Sequence, residues 1–439
     1  MDRYIKIEKK QRIDYMTKKI IAILSAVTIV IVLFYIVIST DLIKRITMNG
    51  NTINAQELTS DVTAQTVSGA EADDEFILGQ TEFALSLLQN TAEDDTNTLI
   101  SPYSVMQALA MTANGADNET LSEMEKVLGG LSIEKLNEYL YTWRTSQPDS
   151  NECKLKTANS VWYRNDSDRI TISPEFLQTN ADYYNASAFS APFDNSTVSD
   201  INTWISQNTD NMIPELLDKI DDNAAMYLIN AVTFDAKWYS PYDKAVDGEF
   251  TAYDGSVQKA EMMYSDEHYY LEDDNGSGFY KYYEGGRYAF AALLPNEEIS
   301  LSEYIDSLTP ESLYNTLSNP QDINVEAGLP KFSYDYGVGL NDTLSKMGMP
   351  DAFTRDADFS KMAETDTGYL YINRVLHKTH IDVFEKGTKA GAATAIEMVD
   401  TAMPMIEKTV ILNRPFVYCI VDTKTSLPIF IGTLTSIPN

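Results

Sequence analysis

The run Glu385-Lys386-Gly387-Thr388-Lys389-Ala390-Gly391-Ala392-Ala393-Thr394-Ala395 is the stretch whose residue types and spacing most constrain what this chain can do. Its alternate residues Thr388, Ala390, Ala392 and Thr394 are all small, and alternate positions share one face of a strand. A flexible linker would be richer in Gly and Ser, and a stable helix would carry apolar residues at helical spacing. A loop with a small-residue face can slide between two existing strands and be buried without steric conflict. The chemistry implied is conformational: strain held in a loop and released by its insertion as a strand. The bland alternative is a merely flexible Ala-rich loop. Conventional catalysis is not indicated. The chain has no Gly-x-Ser-x-Gly and no His-Glu-x-x-His. His268, His377 and His380 offer no metal-ligand spacing beyond one strand pair. No catalytic residue, metal or cofactor is expected.

Such a loop needs a sheet to enter, and the pattern supplies one. Ala158-Asn159-Ser160-Val161-Trp162-Tyr163, Tyr227 to Phe234 and Tyr288-Ala289-Phe290-Ala291-Ala292-Leu293-Leu294 read as strands. The chain ends in two apolar runs separated by Asp422-Thr423-Lys424-Thr425, a hairpin signal. Phe76, Leu78, Phe83, Leu87 and Leu88 predict an amphipathic first helix. Ser101-Pro102 starts the next, Asn118 to Leu128 forms another stopped by Gly129-Gly130, and a helical pattern covers Ile201 to Ile220. Helices early and strands late give an α+β chain.

Further motifs, in order, resemble the serpin family: Asn97 to Val105 with Ser101-Pro102-Tyr103-Ser104, Asn114-Gly115-Ala116, Ile201-Asn202-Thr203-Trp204-Ile205, Leu228 to Trp238, Leu329-Pro330-Lys331-Phe332, Asp356 to Ser360, His377-Lys378, Asn413-Arg414-Pro415-Phe416 and Pro428 to Gly432. The likeness covers Phe76 to Asn439. It implies the serpin fold: three β-sheets, eight or nine helices and an exposed reactive-centre loop. It also implies suicide inhibition rather than catalysis. A target serine protease attacks the loop and forms a covalent acyl complex. The cleaved loop then inserts into the main sheet, and the distorted protease cannot hydrolyse the bond.

The resemblance assigns three parts. The hinge is Gly387, Thr388, Lys389, Ala390, Gly391, Ala392, Ala393, Thr394 and Ala395; Gly387 can take backbone angles that other residues resist, and Lys389 replaces a frequently acidic residue on the solvent side. The sheet-opening gate comprises Ser101, Ser104, Asn230 and His377, with Lys331 and Glu385 forming an ion pair at the sheet's upper end beside Trp238. For each gate residue the plain alternative is ordinary buried packing or a routine surface pair. The bait is set by the family's spacing after Glu385, which places the attacked bond at Thr401–Ala402. The loop is slightly longer than usual, so Val399, Met403 and Met405 are alternative accepted residues. None is Arg or Lys, which favours elastase-like or subtilisin-like targets over trypsin-like ones. The competing reading is a non-inhibitory serpin, acting as a surface binding module or a sacrificial protease substrate.

Composition sets the remaining bounds. Net charge is −32, and residues 20–439 carry 26 basic and 62 acidic groups. That excess disfavours a nucleic-acid partner and fits a solvated surface. Cys153 and Cys419 leave pairing open, although Cys419 sits in an apolar run and reads as a core thiol. Residues 1–19 are basic, with seven Lys/Arg, and residues 20–40 carry no charge. At about 1.5 Å per residue the apolar run spans roughly 30 Å, the thickness of a bilayer core. We expect a cytoplasmic basic segment (1–19), a transmembrane signal anchor (20–40), a polar tether (41–75) and a monomeric serpin domain (76–439) outside the cytoplasm. Cleavage of the N-terminal segment would instead secrete it. A tethered, acidic serpin suggests a bacterial surface protein.

Overall fold

The computed structural model describes residues 52–148, 150, 152–165, 170–221, 224–366, 370–388 and 406–438. The expected basic segment and membrane anchor, hinge residues 389–395 and every bait residue from Val399 to Met405 lie outside the described residues. Among the described residues no helix is long and apolar enough to cross a membrane.

Three hydrogen-bonded sheets and nine α-helices form among the described residues. The main sheet has seven strands in the spatial order Gln56–Glu57, Ser187–Ala191, Cys153–Arg164, Met226–Lys237, Gly387–Thr388, Arg374–Phe384, Phe332–Gly339. A nine-stranded sheet runs from Lys408–Ile411 through Gln321–Pro330, Val257–Glu272, Gly276–Tyr282, Tyr288–Pro295, Phe416–Asp422 and Leu427–Leu434 to Thr98–Ile100, with Ala245–Thr251 paired to Val257–Glu272. The third sheet is the short ribbon of Ile170–Ile172 and Ala363–Thr365.

The continuous apolar runs are explained by double burial. In Tyr288–Pro295, Phe290, Ala292 and Leu294 join the larger core, whereas Ala289, Ala291 and Leu293 join a second cluster on the opposite face. The predicted terminal hairpin is present, Phe416–Asp422 pairing with Leu427–Leu434. The two cysteines are buried and free, with no disulfide between them.

Local chemistry sets the helix starts. Asp73 caps Asp74–Thr91 by accepting the Phe76 N–H, and Ser101 caps Pro102–Ala113 with Pro102 in the first turn. The Pro102–Ala113 helix is buried along its whole length, which holds its cap under the main sheet. Two local expectations change. Leu78 is half-exposed rather than core. The helix expected to reach Ile220 is Asn195–Asn208 and ends there, because Asp210 and Asn211 take left-handed backbone angles and Pro214 comes soon after.

Within the polar tether expected over residues 41–75, described residues from Gln56 onward are paired with the rest of the domain. Gln56–Glu57 pairs antiparallel with Ser187–Ala191, and the Leu58 N–H donates to Ala188 O at 2.7 Å. The Gln65 N–H donates to Asp182 at 2.7 Å, the Ala70 N–H to Glu138 O at 3.1 Å, and Glu71 pairs with Lys424 at 2.9 Å. The Ser187–Ala191 strand would otherwise present a bare edge, and the polar segment satisfies it.

Candidate functional site

The first two residues after the Glu385-Lys386 turn already lie inside the main sheet. Thr388 is in register with Ala236 on one side and Val383 on the other, and Gly387 with Lys237 and Phe384. A Cβ on Gly387 would stand 2.1 Å from the Ala236 carbonyl oxygen. Gly387 is not among the residues with positive φ. Glycine is therefore required there for close backbone approach, not for the unusual dihedral expected from sequence. The Thr388 side chain is 1% exposed, and its Oγ1 lies 2.6 Å from the Tyr283 hydroxyl.

Below this seat the two flanking strands meet directly. Arg374–Lys378 pairs in parallel with Tyr227–Ala231, His377 standing opposite Asn230. Between the seat and that contact, no described strand separates Val232–Asp235 from Thr379–Asp382. Among the described residues the sheet therefore has a slot, bounded at its top by Gly387–Thr388 and at its bottom by the Lys378–Ala231 pair, one step above His377–Asn230.

At the upper end Lys331 Nζ lies 3.2 Å from Glu385 and 3.3 Å from Glu261. Burial alone would raise the Glu385 carboxyl; backbone hydrogen bonding and Lys331 together outweigh it and leave the group below its ordinary value. Trp238 stacks on Tyr283 with centroids 4.4 Å apart, and its indole Nε1 donates to Phe384 O at 2.8 Å. The Trp238 N–H donates to Lys386 O at 3.0 Å and the Tyr242 N–H to Glu385 O at 2.9 Å.

At the lower end the gate residues form one buried network. The His377 Nε2 accepts the Ser101 N–H at 3.0 Å, so the neutral ring carries its proton on Nδ1, which meets no partner. Burial pushes the His377 imidazole down to about 3. Ser101 Oγ donates to Ile429 O at 2.7 Å and accepts the Ser104 N–H at 3.2 Å. Ser104 Oγ donates to Asn230 Oδ1, and the Asn230 amide donates to Ser104 O at 3.0 Å and to Asn159 Oδ1 at 2.6 Å. Asn159 in turn reaches Gln107 at 3.3 Å.

The structure thus brings Ser101, Ser104, Asn230 and His377 together, and separately Gly387, Thr388, Trp238, Lys331 and Glu385. Asn159, Gln107, Tyr283 and Glu261 also belong to these groups and do not stand out in the sequence. Even Asn159 gives no clear signal, since its strand Cys153–Arg164 also carries Lys154, Lys156, Thr157 and Ser160. Among the described residues no group of three or more His, Cys, Asp or Glu could hold a metal ion.

A sequence profile described as "Serpin (serine protease inhibitor)" matches residues 78–437. The chain belongs to the serpin family. Neuroserpin of Rattus norvegicus is 29% identical over 83% of this chain and 92% of its own length. Leukocyte elastase inhibitor of Bos taurus is 29% identical over 81% and 98%. The native crystal structure of tengpin, a thermophilic serpin, superposes with a TM-score of 0.84 at 48% identity, covering 87% of this chain and all of tengpin. Tengpin in its latent state superposes with a TM-score of 0.75 at 47% identity. Serpins are typically protease inhibitors rather than catalysts, which agrees with the lack of a hydrolase motif in the sequence.

Proposed function

We propose that this serpin inhibits elastase-like or subtilisin-like serine proteases by trapping them during cleavage of its own loop. The protease serine Oγ attacks the Thr401 carbonyl carbon, the bond to Ala402 breaks, and the new amine takes its proton from the protease's general acid. The acyl ester so formed survives because the freed strand enters the main sheet and carries the protease away from its working geometry. Val399, Met403 and Met405 remain the alternative accepted residues.

The observation that supports this reading is the seated pair Gly387–Thr388, whose register offers the starting point for an inserting strand. In the proposed inserted strand, the same register would put residue 389 between Asp235 and Asp382, 390 between Phe234 and Ile381, 391 between Thr233 and His380, and 392 between Val232 and Thr379. The slot accepts these four residues without breaking an existing pair. From 393 onward each residue displaces one parallel pair, beginning with Ala231–Lys378 and then Asn230–His377. In that strand Ala390, Ala392 and Thr394 would share the face of Thr388, whose hydroxyl meets Tyr283 in the buried interior. Small side chains there avoid overpacking. The bait residues suit a target with a small or medium apolar pocket, and the likeness to an elastase inhibitor supports that choice.

The uncharged run at 20–40 supports a membrane anchor that holds residues 1–19 in the cytoplasm and displays a monomeric serpin domain outside, on a bacterial cell. The deciding experiment incubates the full chain, in mild detergent, with an elastase-type protease. A heat-stable band at the summed mass establishes trapping, and mass spectrometry of the released peptide identifies the bond. Cleavage without that band, across a panel of serine proteases, would leave the chain a substrate and overturn the reading.

A further inference from the structure

Lys281 is the most deeply buried ammonium described in this serpin, and the proposed mechanism has not used it. Its side chain is 1% exposed, and Nζ lies 2.6 Å from Glu267, whose carboxylate also accepts the Ser265 hydroxyl at 2.5 Å. Two rings complete its surroundings. Nζ is 4.1 Å from the Tyr242 centroid and 5.7 Å from that of Trp238. Both rings are buried, Trp238 and Tyr242 each being 2% exposed.

These are the same two residues that grip the turn below the hinge. Trp238 and Tyr242 between them satisfy three consecutive carbonyls, of Phe384, Glu385 and Lys386. Trp238 also stacks on Tyr283, whose hydroxyl meets Thr388. A buried ion pair is weak evidence for stability, since desolvation offsets much of the attraction. It is better suited to fixing geometry, and a desolvated cation orients the aromatic faces around it.

We infer that Lys281 is a positioning residue for loop insertion. Held by Glu267, its ammonium fixes the Trp238 and Tyr242 rings, so that their backbones hold the 384–386 turn and keep Gly387–Thr388 in register as the seed for the incoming strand. Without the ammonium the turn loosens, the seed is lost part of the time, and insertion slows while acyl-enzyme hydrolysis proceeds as before. The outcome shifts from inhibitor to substrate.

This inference rests on the inhibitory reading, so its test has two arms. The full chain is compared with Lys281→Arg and with the double variant Lys281→Met, Glu267→Gln, which avoids leaving a buried carboxylate unpaired. In the first arm, the number of serpin molecules consumed per protease trapped is measured beside the rate of loop cleavage. The double variant is expected to raise that number about fivefold, from the loss of roughly 1 kcal/mol of cation–aromatic contact, with the cleavage rate unmoved; Lys281→Arg restores most of it. In the second arm, hydrogen exchange reads the Trp238, Tyr242 and Thr388 amides without any protease. Selective loss of protection there, with the rest of the chain unchanged, supports the clamp. Unchanged protection at these amides, or a uniform loss throughout the chain, overturns it. If the parent chain traps no protease, the inhibitory reading fails and the exchange arm alone decides the clamp.

Discussion

The Tyr283 hydroxyl and Thr388 Oγ1 lie 2.6 Å apart, and they join the nine-stranded region to the first hinge residue of the main sheet that points inward. Burial pushes the Tyr283 phenol well above its ordinary value, so it stays protonated. The contact fixes the face that Thr388 turns inward, and in the proposed insertion the later alternate residues would follow it.

Replacing Thr388 with Arg would force a guanidinium into a position that is 1% exposed. We expect Thr388→Arg to convert the serpin from inhibitor to substrate, with cleaved monomer in place of the heat-stable complex on a denaturing gel. Thr388→Val keeps the shape but leaves the Tyr283 hydroxyl unpaired, at a cost of about 1–3 kcal/mol in denaturant unfolding. Unchanged trapping by Thr388→Arg would sink the insertion mechanism.

Gly387→Ala tests the close approach. The added methyl carbon meets the Ala236 carbonyl oxygen at 2.1 Å, and backbone cannot swing aside as a flexible side chain can. The strand must back away from Met226–Lys237, so stability falls by about 1–3 kcal/mol and the substrate fraction rises. A melting temperature and stoichiometry equal to those of the parent would show that the seat tolerates a side chain.

The gate should be sensitive to truncation. Asn230→Ala removes the partner of the Ser104 hydroxyl, the Ser104 carbonyl and the Asn159 amide oxygen together. Stranding buried polar atoms at about 1–3 kcal/mol each predicts one of the larger losses in this chain, read by urea unfolding. Asn159→Ala, which removes only the outer link, should cost less.

His377 gives the gate a pH dependence. Its ordinary value is 6.5 and burial lowers it to about 3 in the folded chain. Between these values the unfolded chain binds more protons, so stability is intact above 6.5 and erodes as pH falls. This one group contributes a slope of up to about 1.4 kcal/mol per pH unit. Unfolding free energies of the parent and His377→Gln, measured from neutral pH down to about 5, should converge as pH falls. Parallel curves would assign the slope to other groups.

Much of the fold is legible in the sequence because the motifs sit where burial and pairing leave few options. Ser101, Ser104, Asn230 and His377 come from the cap and first turn of one helix and from two strands far apart in the chain, and only the motifs around them mark them as neighbours. Asn159 escapes notice because a polar residue between Ala158 and Ser160 looks like the outer face of a strand, and only the neighbouring strand shows what it meets. Lys281 escapes for the same reason: a lysine in Phe279-Tyr280-Lys281-Tyr282 reads as solvent-facing until the fold closes over it. Gly387 stands out in the sequence for its dihedral freedom, yet close approach is what demands it, and that depends on a partner strand no local pattern reveals. The segment 55–73 reads as free because composition reports what a chain cannot bury alone, not the bare sheet edge waiting for it.

The slot between Val232–Asp235 and Thr379–Asp382 has a kinetic meaning. With nucleation already complete at Gly387–Thr388, the proposed insertion starts as simple propagation, each residue gaining backbone bonds and losing none. Resistance first appears at residue 393, where the Ala231–Lys378 pair must part, with Asn230–His377 next. The transition state of the proposed insertion would therefore fall at the level of the gate, not at the hinge. In the proposed mechanism the race against deacylation would be timed by two strands the protease never touches, so different baits on this scaffold would share one clock.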